Sequence, residues 1–238
     1  MFYLITYATH EERYFKFLKD RVHKVLGFGT QWKGFHDKVK AVIDFCDSVQ
    51  PEDIVCFVDG FDSMILGTDQ EIIRAYRLIG QEIVFSKEKN HPQKPMTQYI
   101  FKKNLGPICV EKQLNSGLYI GQAGKIADFW RDMKPGEDDQ RYACSRDPYV
   151  DTEHRLFYNY SKIDTDVTRD TAGNIYKGDQ KILIIGMPGN ETIRSDVKTD
   201  INHIRMIKSY GKNWIPEILF VTLLIYLVYI IFIASTRK

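Results

Sequence analysis

The feature that most constrains the fold is an uninterrupted apolar run that ends in acidic residues. Residues 54–58 are apolar at every position, and Asp59-Gly60-Phe61-Asp62 follows directly. A run of this kind is typical of a strand in a sheet that is covered on both faces. In open α/β sheets, ligands bind outside the carboxyl ends of the strands. The run therefore predicts a central strand with a ligand site at Asp59 and Asp62.

Strand-like and helix-like patterns alternate along the rest of the chain. We predict strands at residues 2–7, 54–58, 82–86, 118–120 and 181–185, and helices at residues 11–26 and 39–45. The helices are predicted from apolar residues at helical spacing, and the second one ends before Pro51. This alternation predicts an α/β fold with a mostly parallel central sheet flanked by helices.

The last part of the chain carries a long uncharged segment. Residues 218–234 contain no charged side chain. At about 1.5 Å per residue they reach roughly 26 Å as a helix, close to the ~30 Å thickness of a bilayer core. We therefore predict a domain at residues 1–205, a juxtamembrane segment at 206–214, a transmembrane helix at 215–235 and a short basic tail at 236–238. The alternative is a buried core helix, although such helices are rarely apolar on every face.

The position of this segment also suggests an orientation. Residues 1–8 have the character of a first core strand rather than of a signal peptide. A span that follows the whole domain is inserted after the domain has been made, so we expect a single-pass membrane protein with its folded domain in the cytosol.

Charge and cysteine content narrow the function further. The chain has 33 basic and 31 acidic residues, a net charge of +2, so bulk charge favours no nucleic-acid partner. Its four cysteines, Cys46, Cys56, Cys109 and Cys144, form no CxxC pair, and we interpret all four as reduced thiols.

The acidic residues after the apolar run suggest metal chemistry. Two carboxylates at one strand end repel each other unless a cation lies between them. Proteins that act on phosphate-bearing substrates bind Mg²⁺ or Mn²⁺ through one or two carboxylates, with phosphate oxygens and water as further ligands. As an alternative, Asp59 and Gly60 form a plain turn, and Asp62 caps the next helix.

Several segments of the chain resemble one enzyme family. Residues 57–63, Phe-Val-Asp-Gly-Phe-Asp-Ser, resemble the acidic strand-end motif of the glycosyltransferase domain in procollagen lysyl hydroxylases and procollagen galactosyltransferase-like proteins. Residues 4–9, 32–39, 84–92, 114–121, 138–140 and 150–157 resemble other parts of that domain in the same order. The resemblance implies a GT-A fold, the nucleotide-sugar-binding α/β architecture. It also implies transfer of a sugar from a UDP-sugar, assisted by Mn²⁺ or Mg²⁺, to a hydroxyl of a glycan, protein or lipid-linked acceptor.

The resemblance assigns roles to residues on the nucleotide side of the site. Asp59 and Asp62 would bind the metal and the diphosphate, and Phe61 would pack near the nucleotide. Thr9, Trp32 and Lys38 would contact the uridine or the phosphates. An indole offers a flat face to a base, and a lysine offers a point charge to a phosphate. Alternatively, Trp32 fills the core and Lys38 is a solvated helix residue.

Two further segments would contact the sugar and the acceptor. Asn115 and Ser116 carry hydrogen-bonding side chains, and Gly117 allows close backbone approach, a combination that suits sugar hydroxyls. A tight turn is the alternative. Asp138 or Asp139 would act near the anomeric carbon, either as the base for the acceptor hydroxyl or by stabilising positive charge on the sugar. Alternatively, they are acids at a helix start, where the helix dipole favours them.

The chain departs from the family pattern at one metal ligand. The late strand of the family ends in a His-Gly-Asn-Gly turn whose histidine is the third ligand, whereas this chain has Gly186 there. His203 is the candidate replacement. A catalytically silent, membrane-anchored binding or scaffold protein with the same fold is therefore the alternative function.

Overall fold

The computed structural model describes residues 1–88, 113–161 and 166–188, together with Tyr226. The chain divides into two units, residues 1–195 and 196–238, and every element below belongs to the first. The helices are α1 (Phe15–Leu18), α2 (Phe35–Asp47), α3 (Asp69–Ile79), α4 (Ala123–Trp130) and α5 (Asp139–Ser145). The strands are β1 (Phe2–Tyr7), β2 (Lys24–Leu26), β3 (Ile54–Asp59), β4 (Ser63–Ile65), β5 (Ile83–Lys87), β6 (Leu114–Gln122), β7 (Tyr149–Asp151), β8 (Phe157–Asn159), β9 (Val167–Arg169), β10 (Ile175–Lys177), β11 (Gln180–Lys181) and β12 (Ile184–Gly186).

The central sheet is mixed because one of its strands runs opposite to the others. Its strand order is β2-β1-β3-β6-β5-β7. The pairs β1–β2, β1–β3 and β5–β7 are parallel, but β6 runs antiparallel to both of its neighbours, β3 and β5. Parallel and antiparallel strands have similar apolar patterns and differ in their connections. The α/β prediction is confirmed. Five of the six strands in this sheet run in the same direction, as the prediction of a mostly parallel sheet requires. The reversal of β6 was not predicted, because the apolar pattern of a strand does not encode its direction.

Strand β3 is the buried centre of this sheet, as its apolar run predicts. Val55, Cys56, Phe57 and Val58 are all fully buried. Val55 and Phe57 pack into the cluster that includes residues of α2, α4 and α5. Cys56 and Val58 pack into the cluster on the opposite face, with residues of α3. The strand ends at Asp59, so the first acidic residue lies at its carboxyl end.

Only one turn of the predicted helix over residues 11–26 is helical, and it begins at Phe15. Helix α1 ends at Leu18, and Lys24–Leu26 forms β2, which pairs in parallel with β1. The backbone N–H of His23 donates to the Leu4 carbonyl at 2.7 Å and starts this pairing. The open edge of β1 satisfies the backbone groups of this segment, so tertiary pairing overrides the local helical spacing.

The segment that contains Asn115, Ser116 and Gly117 is part of strand β6, not a tight turn. The predicted strand at residues 118–120 therefore begins earlier, at Leu114. The pairing of β5 with β6 shifts register between Phe85 and Ser86. Such an irregularity re-aims side chains locally. The predicted late strand corresponds to β12, which lies between β4 and β8 in a small second sheet.

One cysteine prediction is corrected. Cys46 and Cys56 are buried free thiols, and burial raises the pKa of Cys46 to about 12. Cys144 is disulfide-bonded, so the interpretation of all four cysteines as reduced is wrong for this residue. Disulfide pairing depends on the distance between two backbones in the fold, which cysteine spacing alone does not reveal. Cys109 lies outside the described residues.

Among the residues that the structure describes, no helix is long and apolar enough to cross a membrane. The predicted juxtamembrane segment, the transmembrane helix at 215–235 and the basic tail lie outside these residues, apart from Tyr226. That residue is helical and 58% exposed.

Candidate active site

Asp59 and Gly117 face each other across the two central strands. Val58 pairs with Leu118 in the β3–β6 ladder, so Asp59 lies opposite Gly117. A Cβ atom placed on Gly117 would lie 3.5 Å from the Asp59 Cβ and 3.8 Å from Asp59 Oδ2. The neighbouring Ser116 is only 4% exposed. The same Cβ atom on Gly117 would lie 3.0 Å from Asn115 Oδ1, so the absence of a side chain lets β6 pass close to both Asn115 and the half-buried Asp59 carboxylate.

Asp62 lies in the turn that joins β3 to β4. It is not a helix cap, because Thr68 caps the next helix, α3, and accepts a hydrogen bond from the Glu71 N–H. Partial burial and the nearby charge of Asp59 raise the pKa of Asp62 well above its ordinary value. Asp59 Oδ1 accepts a hydrogen bond from the Phe61 N–H at 3.3 Å. The turn therefore holds two carboxyl groups in an environment that disfavours two negative charges.

The position of the family's metal histidine is closed in this chain. A Cβ atom on Gly186 would lie 2.0 Å from Asn159 Oδ1 and 3.1 Å from Leu118 Cδ1. The Asn159 side chain therefore fills the space that a larger residue would need. No group of three His, Cys, Asp or Glu side chains arranged to hold a metal ion occurs within residues 1–88, 113–161 and 166–188. His203, the candidate replacement, lies outside the described residues.

A buried polar network surrounds Asn115. Its Nδ2 donates to Glu88 Oε2 at 2.9 Å, and its Oδ1 accepts from the Gly117 N–H at 2.9 Å. Ser86 Oγ donates to the Asn115 carbonyl at 3.2 Å, and Asn159 Nδ2 donates to Ser86 Oγ at 3.0 Å. Asn115 therefore sets the backbone position beside Asp59. Sequence analysis missed Glu88 and Asn159, because only the pairing of distant strands brings them to this place.

Trp32 forms an exposed aromatic surface near the end of β1. Its side chain is 45% exposed, so it does not merely fill the core. Its ring centroid lies 5.7 Å from that of Tyr7 and 5.6 Å from that of Phe35, both in edge-on geometry. These contacts hold the indole in place. Because its side chain is partly exposed, a planar base can stack on its face.

Thr9 and Phe61 lie close together through His10. Thr9 Oγ1 is 2.9 Å from His10 Nδ1, and the His10 ring centroid is 5.1 Å from that of Phe61. Two of the predicted nucleotide-binding residues, one after β1 and one after β3, are thus joined in one cluster at the carboxyl ends of neighbouring parallel strands.

Lys38 is not a solvated helix residue. It forms an ion pair with Asp139, and the two side chains are only 9% and 4% exposed. Burial lowers the pKa of Lys38, but the negative charges of Asp139 and Asp59 outweigh this effect, and the pKa lies above its ordinary value. The charge of Lys38 is therefore engaged by Asp139 and also acts on the acidic turn at Asp59.

Asp138 caps helix α5. Its side chain accepts a hydrogen bond from the Arg141 N–H at 2.9 Å, which is the structural role that an acid at a helix start suggests. Burial and the charge of Asp139 raise the pKa of Asp138. The two acids differ in their surroundings, because Asp139 is paired with Lys38 whereas Asp138 is partly exposed.

The candidate site thus combines a mixed α/β sheet, an acidic turn at the end of its central strand and an exposed aromatic surface. The sequence profile described as the PLOD GT domain matches residues 2–203. The chain therefore belongs to this family and carries a glycosyltransferase domain, which confirms the resemblance inferred from the sequence.

The chain was also compared with solved structures and with curated proteins. Among solved structures, the chain is similar to the crystal structure of A197 from STIV, with 12% sequence identity and a TM-score of 0.38 over 82% of this chain and 99% of that chain. A comparison with curated proteins finds no match.

Proposed function

We propose that this chain transfers a sugar from a UDP-sugar to a hydroxyl acceptor with the help of a divalent cation. We also propose the finer fold assignment, the GT-A type. The observation that carries the proposal is the turn at the end of β3, where Asp59 and Asp62 share an environment that raises the pKa of Asp62. A cation between the two carboxylates would remove this repulsion.

The residues of the turn fit Mn²⁺ or Mg²⁺. Such ions are bound through one or two carboxylates, and phosphate oxygens and water complete their coordination. When bound, the ion would neutralise charge on the departing diphosphate. Asp59 and Asp62 would hold it, and the diphosphate would approach Asp59 past Gly117, which has no side chain.

The aromatic surface supports a nucleotide donor. The exposed face of Trp32 would stack on the uracil ring, and the cluster of Thr9, His10 and Phe61 would border the ribose and phosphates. The side chains of Tyr7 and Phe35 hold Trp32 in place, so little ordering would be needed when the base binds.

Asp138 is the better candidate for a carboxylate that acts at the sugar. A raised pKa brings a carboxylate nearer to the range in which it accepts a proton at neutral pH. Asp138 would take the proton of the acceptor hydroxyl or stabilise positive charge on the sugar. Asp139, bound to Lys38, would position α5 instead. Asn115 would hold Gly117, and Ser116 would support the same strand.

A silent binding or scaffold protein is the second candidate function. It is favoured by the closed position at Gly186, where Asn159 occupies the space of the family's histidine. Such a protein would bind UDP weakly and would release none from a UDP-sugar.

Assay of UDP release separates the two functions. The full chain would be incubated with Mn²⁺ and a panel of UDP-sugars, since hydrolysis by water requires no knowledge of the acceptor. We expect Mn²⁺-dependent release from one donor, lost in Asp59→Asn and Asp62→Asn. Asp44→Asn, an exposed change on α2, is the matched control and should retain activity. Absence of release from every donor would favour the silent protein.

We also propose that residues 215–235 anchor the chain in a membrane, because residues 218–234 are uncharged. The full chain should then stay with membranes after alkaline extraction, and a variant without residues 215–235 should not. Release of the full chain by this treatment would reject the anchor.

A further inference from the structure

Arg13 lies in a strained loop beside the acidic turn. It follows β1 and precedes α1, and its φ of 51° lies in the left-handed region that few residues other than glycine adopt. The next residue, Tyr14, donates its backbone N–H to the Phe61 carbonyl at 3.3 Å. This hydrogen bond ties the loop to the turn that carries Asp59 and Asp62. Strain of this kind persists where the surrounding structure holds a residue in position, often at a ligand site.

The guanidinium of Arg13 has an unsatisfied donor. Its Nη2 is buried and has no hydrogen-bond partner among the described residues. A guanidinium carries five N–H donors in a planar fork and remains charged at any physiological pH. Leaving such a donor buried and unpaired is unfavourable. A ligand that accepts this hydrogen bond would therefore bind more tightly, because Nη2 has already lost its contact with water.

The charge of Arg13 acts on the acidic turn. Arg13 is close enough to Asp62 for the two charges to attract each other. Lys38 also acts on Asp62, but its ammonium is already bound by Asp139. Of these two cations, Arg13 is the one with a buried N–H group that has no hydrogen-bond partner among the described residues.

We propose that Arg13 binds the diphosphate of the nucleotide donor, with Nη2 donating to a phosphate oxygen beside the Asp59–Asp62 turn. This inference rests on the proposed function and adds a residue to it. Guanidinium forks match pairs of phosphate oxygens, and hydrogen bonds between charged groups are stronger than neutral ones. Arg13 thus supplies positive charge to the diphosphate in a chain whose Gly186 position has no room for a third metal ligand.

The test compares UDP with uridine, which lacks the phosphates. Calorimetry on the full chain with Mn²⁺ would measure both affinities for the parent and for Arg13→Gln. We expect UDP affinity to fall by roughly tenfold or more, since hydrogen bonds to charged groups have this strength, and uridine affinity to stay unchanged. Arg74→Gln, an exposed change on α3, is the matched control and should bind both ligands like the parent.

Arg13→Gly separates the binding role from a structural one. Glycine adopts the observed φ without strain, so this variant should be folded at least as stably as the parent, measured by thermal unfolding. It should nevertheless lose as much UDP affinity as Arg13→Gln.

Three results would overturn the inference. If the parent binds UDP and both variants bind it equally well, Arg13 does not contact the diphosphate and the proposed function stands without it. If uridine affinity falls as much as UDP affinity, Arg13 only holds the loop. If the parent binds no UDP, this inference and the proposed function both fail.

Discussion

Lys38 of α2 and Asp139 of α5 form a buried ion pair on one side of the central sheet, with side chains 9% and 4% exposed. The pair joins helices that are far apart in the chain. Lys38 also lies over the rings of Phe35 and Phe57, 5.5 and 5.7 Å from their centroids. Removal of either charge would leave the other buried without its partner. The stability of the fold around the site therefore depends on the pair.

Asp139→Asn should therefore destabilise the protein. Loss of one partner of a buried ion pair typically costs about 3–5 kcal/mol of the free energy of unfolding. Asp44→Asn removes the partner of Lys40 in an exposed pair, and its cost should stay below about 1 kcal/mol. Denaturant unfolding of both variants measures the difference. Equal costs for the two variants would show that burial adds nothing to the Lys38 pair.

Asp62→Asn should stabilise the metal-free protein at neutral pH while abolishing activity. Because the pKa of Asp62 is raised, the folded protein binds a proton there more tightly than the unfolded chain does. The stability from this proton is complete below the unfolded pKa of about 3.9 and is lost as the pH rises through the raised value. Above that value the charged carboxylate carries its full penalty, which asparagine avoids.

Thermal unfolding in the presence of a chelator checks this prediction. We expect Asp62→Asn to melt about 2–4 °C or more above the parent at pH 7.5, the shift that ~1 kcal/mol gives in a chain of this size. The difference should vanish near pH 4. Asp128→Asn, at a side chain that is 75% exposed, should show no such gain. A gain for Asp62→Asn that is the same at both pH values would rule out titration of this carboxyl as its cause.

Gly186→Ala should destabilise the second sheet through contact with Asn159. The added Cβ would lie 2.0 Å from Asn159 Oδ1, which must move or lose its hydrogen bonds to Ser86 and Lys87. Overpacking of this kind costs about 1–3 kcal/mol. The double variant Gly186→Ala, Asn159→Gly should cost less than the sum of the single changes, measured as a double-mutant cycle. Strict additivity would mean that the two positions do not compete for space.

Trp32→Ala should weaken uridine and UDP equally, in contrast to Arg13→Gln. Stacking of a base on an aromatic side chain contributes about 1–3 kcal/mol, so both affinities should fall by roughly tenfold. Phe17 on α1 is a similarly exposed aromatic residue, and Phe17→Ala is the control that should bind both ligands like the parent. Calorimetry with the two ligands gives the result. Unchanged uridine affinity in Trp32→Ala would place the base elsewhere.

Strand prediction succeeded where the local pattern and the tertiary environment agree. Strands β1 and β3 and helix α2 were predicted from the spacing of their apolar residues. In these elements the fold buries the same residues that this spacing places on one face or in one run. Strand β2 was missed for the opposite reason. Its three residues continue a helical spacing from α1, but the open edge of β1 provides backbone partners that only the folded sheet contains.

The site shows the same division. Asp59 and Asp62 were predicted as site residues because acids at a strand end suggest a ligand site, and Trp32 was predicted from the family resemblance. Glu88, Asn159 and Arg13 were missed because nothing near them in the chain marks them. Each is recognised only in the folded structure. Glu88 accepts a hydrogen bond from Asn115, Asn159 fills the space beside Gly186, and Arg13 has a buried donor next to the acidic turn.

The sequence by itself determined the family, the α/β class and the place of the acidic turn, because apolar periodicity and strand-end charge are local properties. Only the tertiary structure decided the direction of β6, the disulfide at Cys144, the pairing of Lys38 with Asp139 and the closure of the position at Gly186. Each of these depends on distances between residues far apart in the chain, and such distances exist only once the strands and helices have packed.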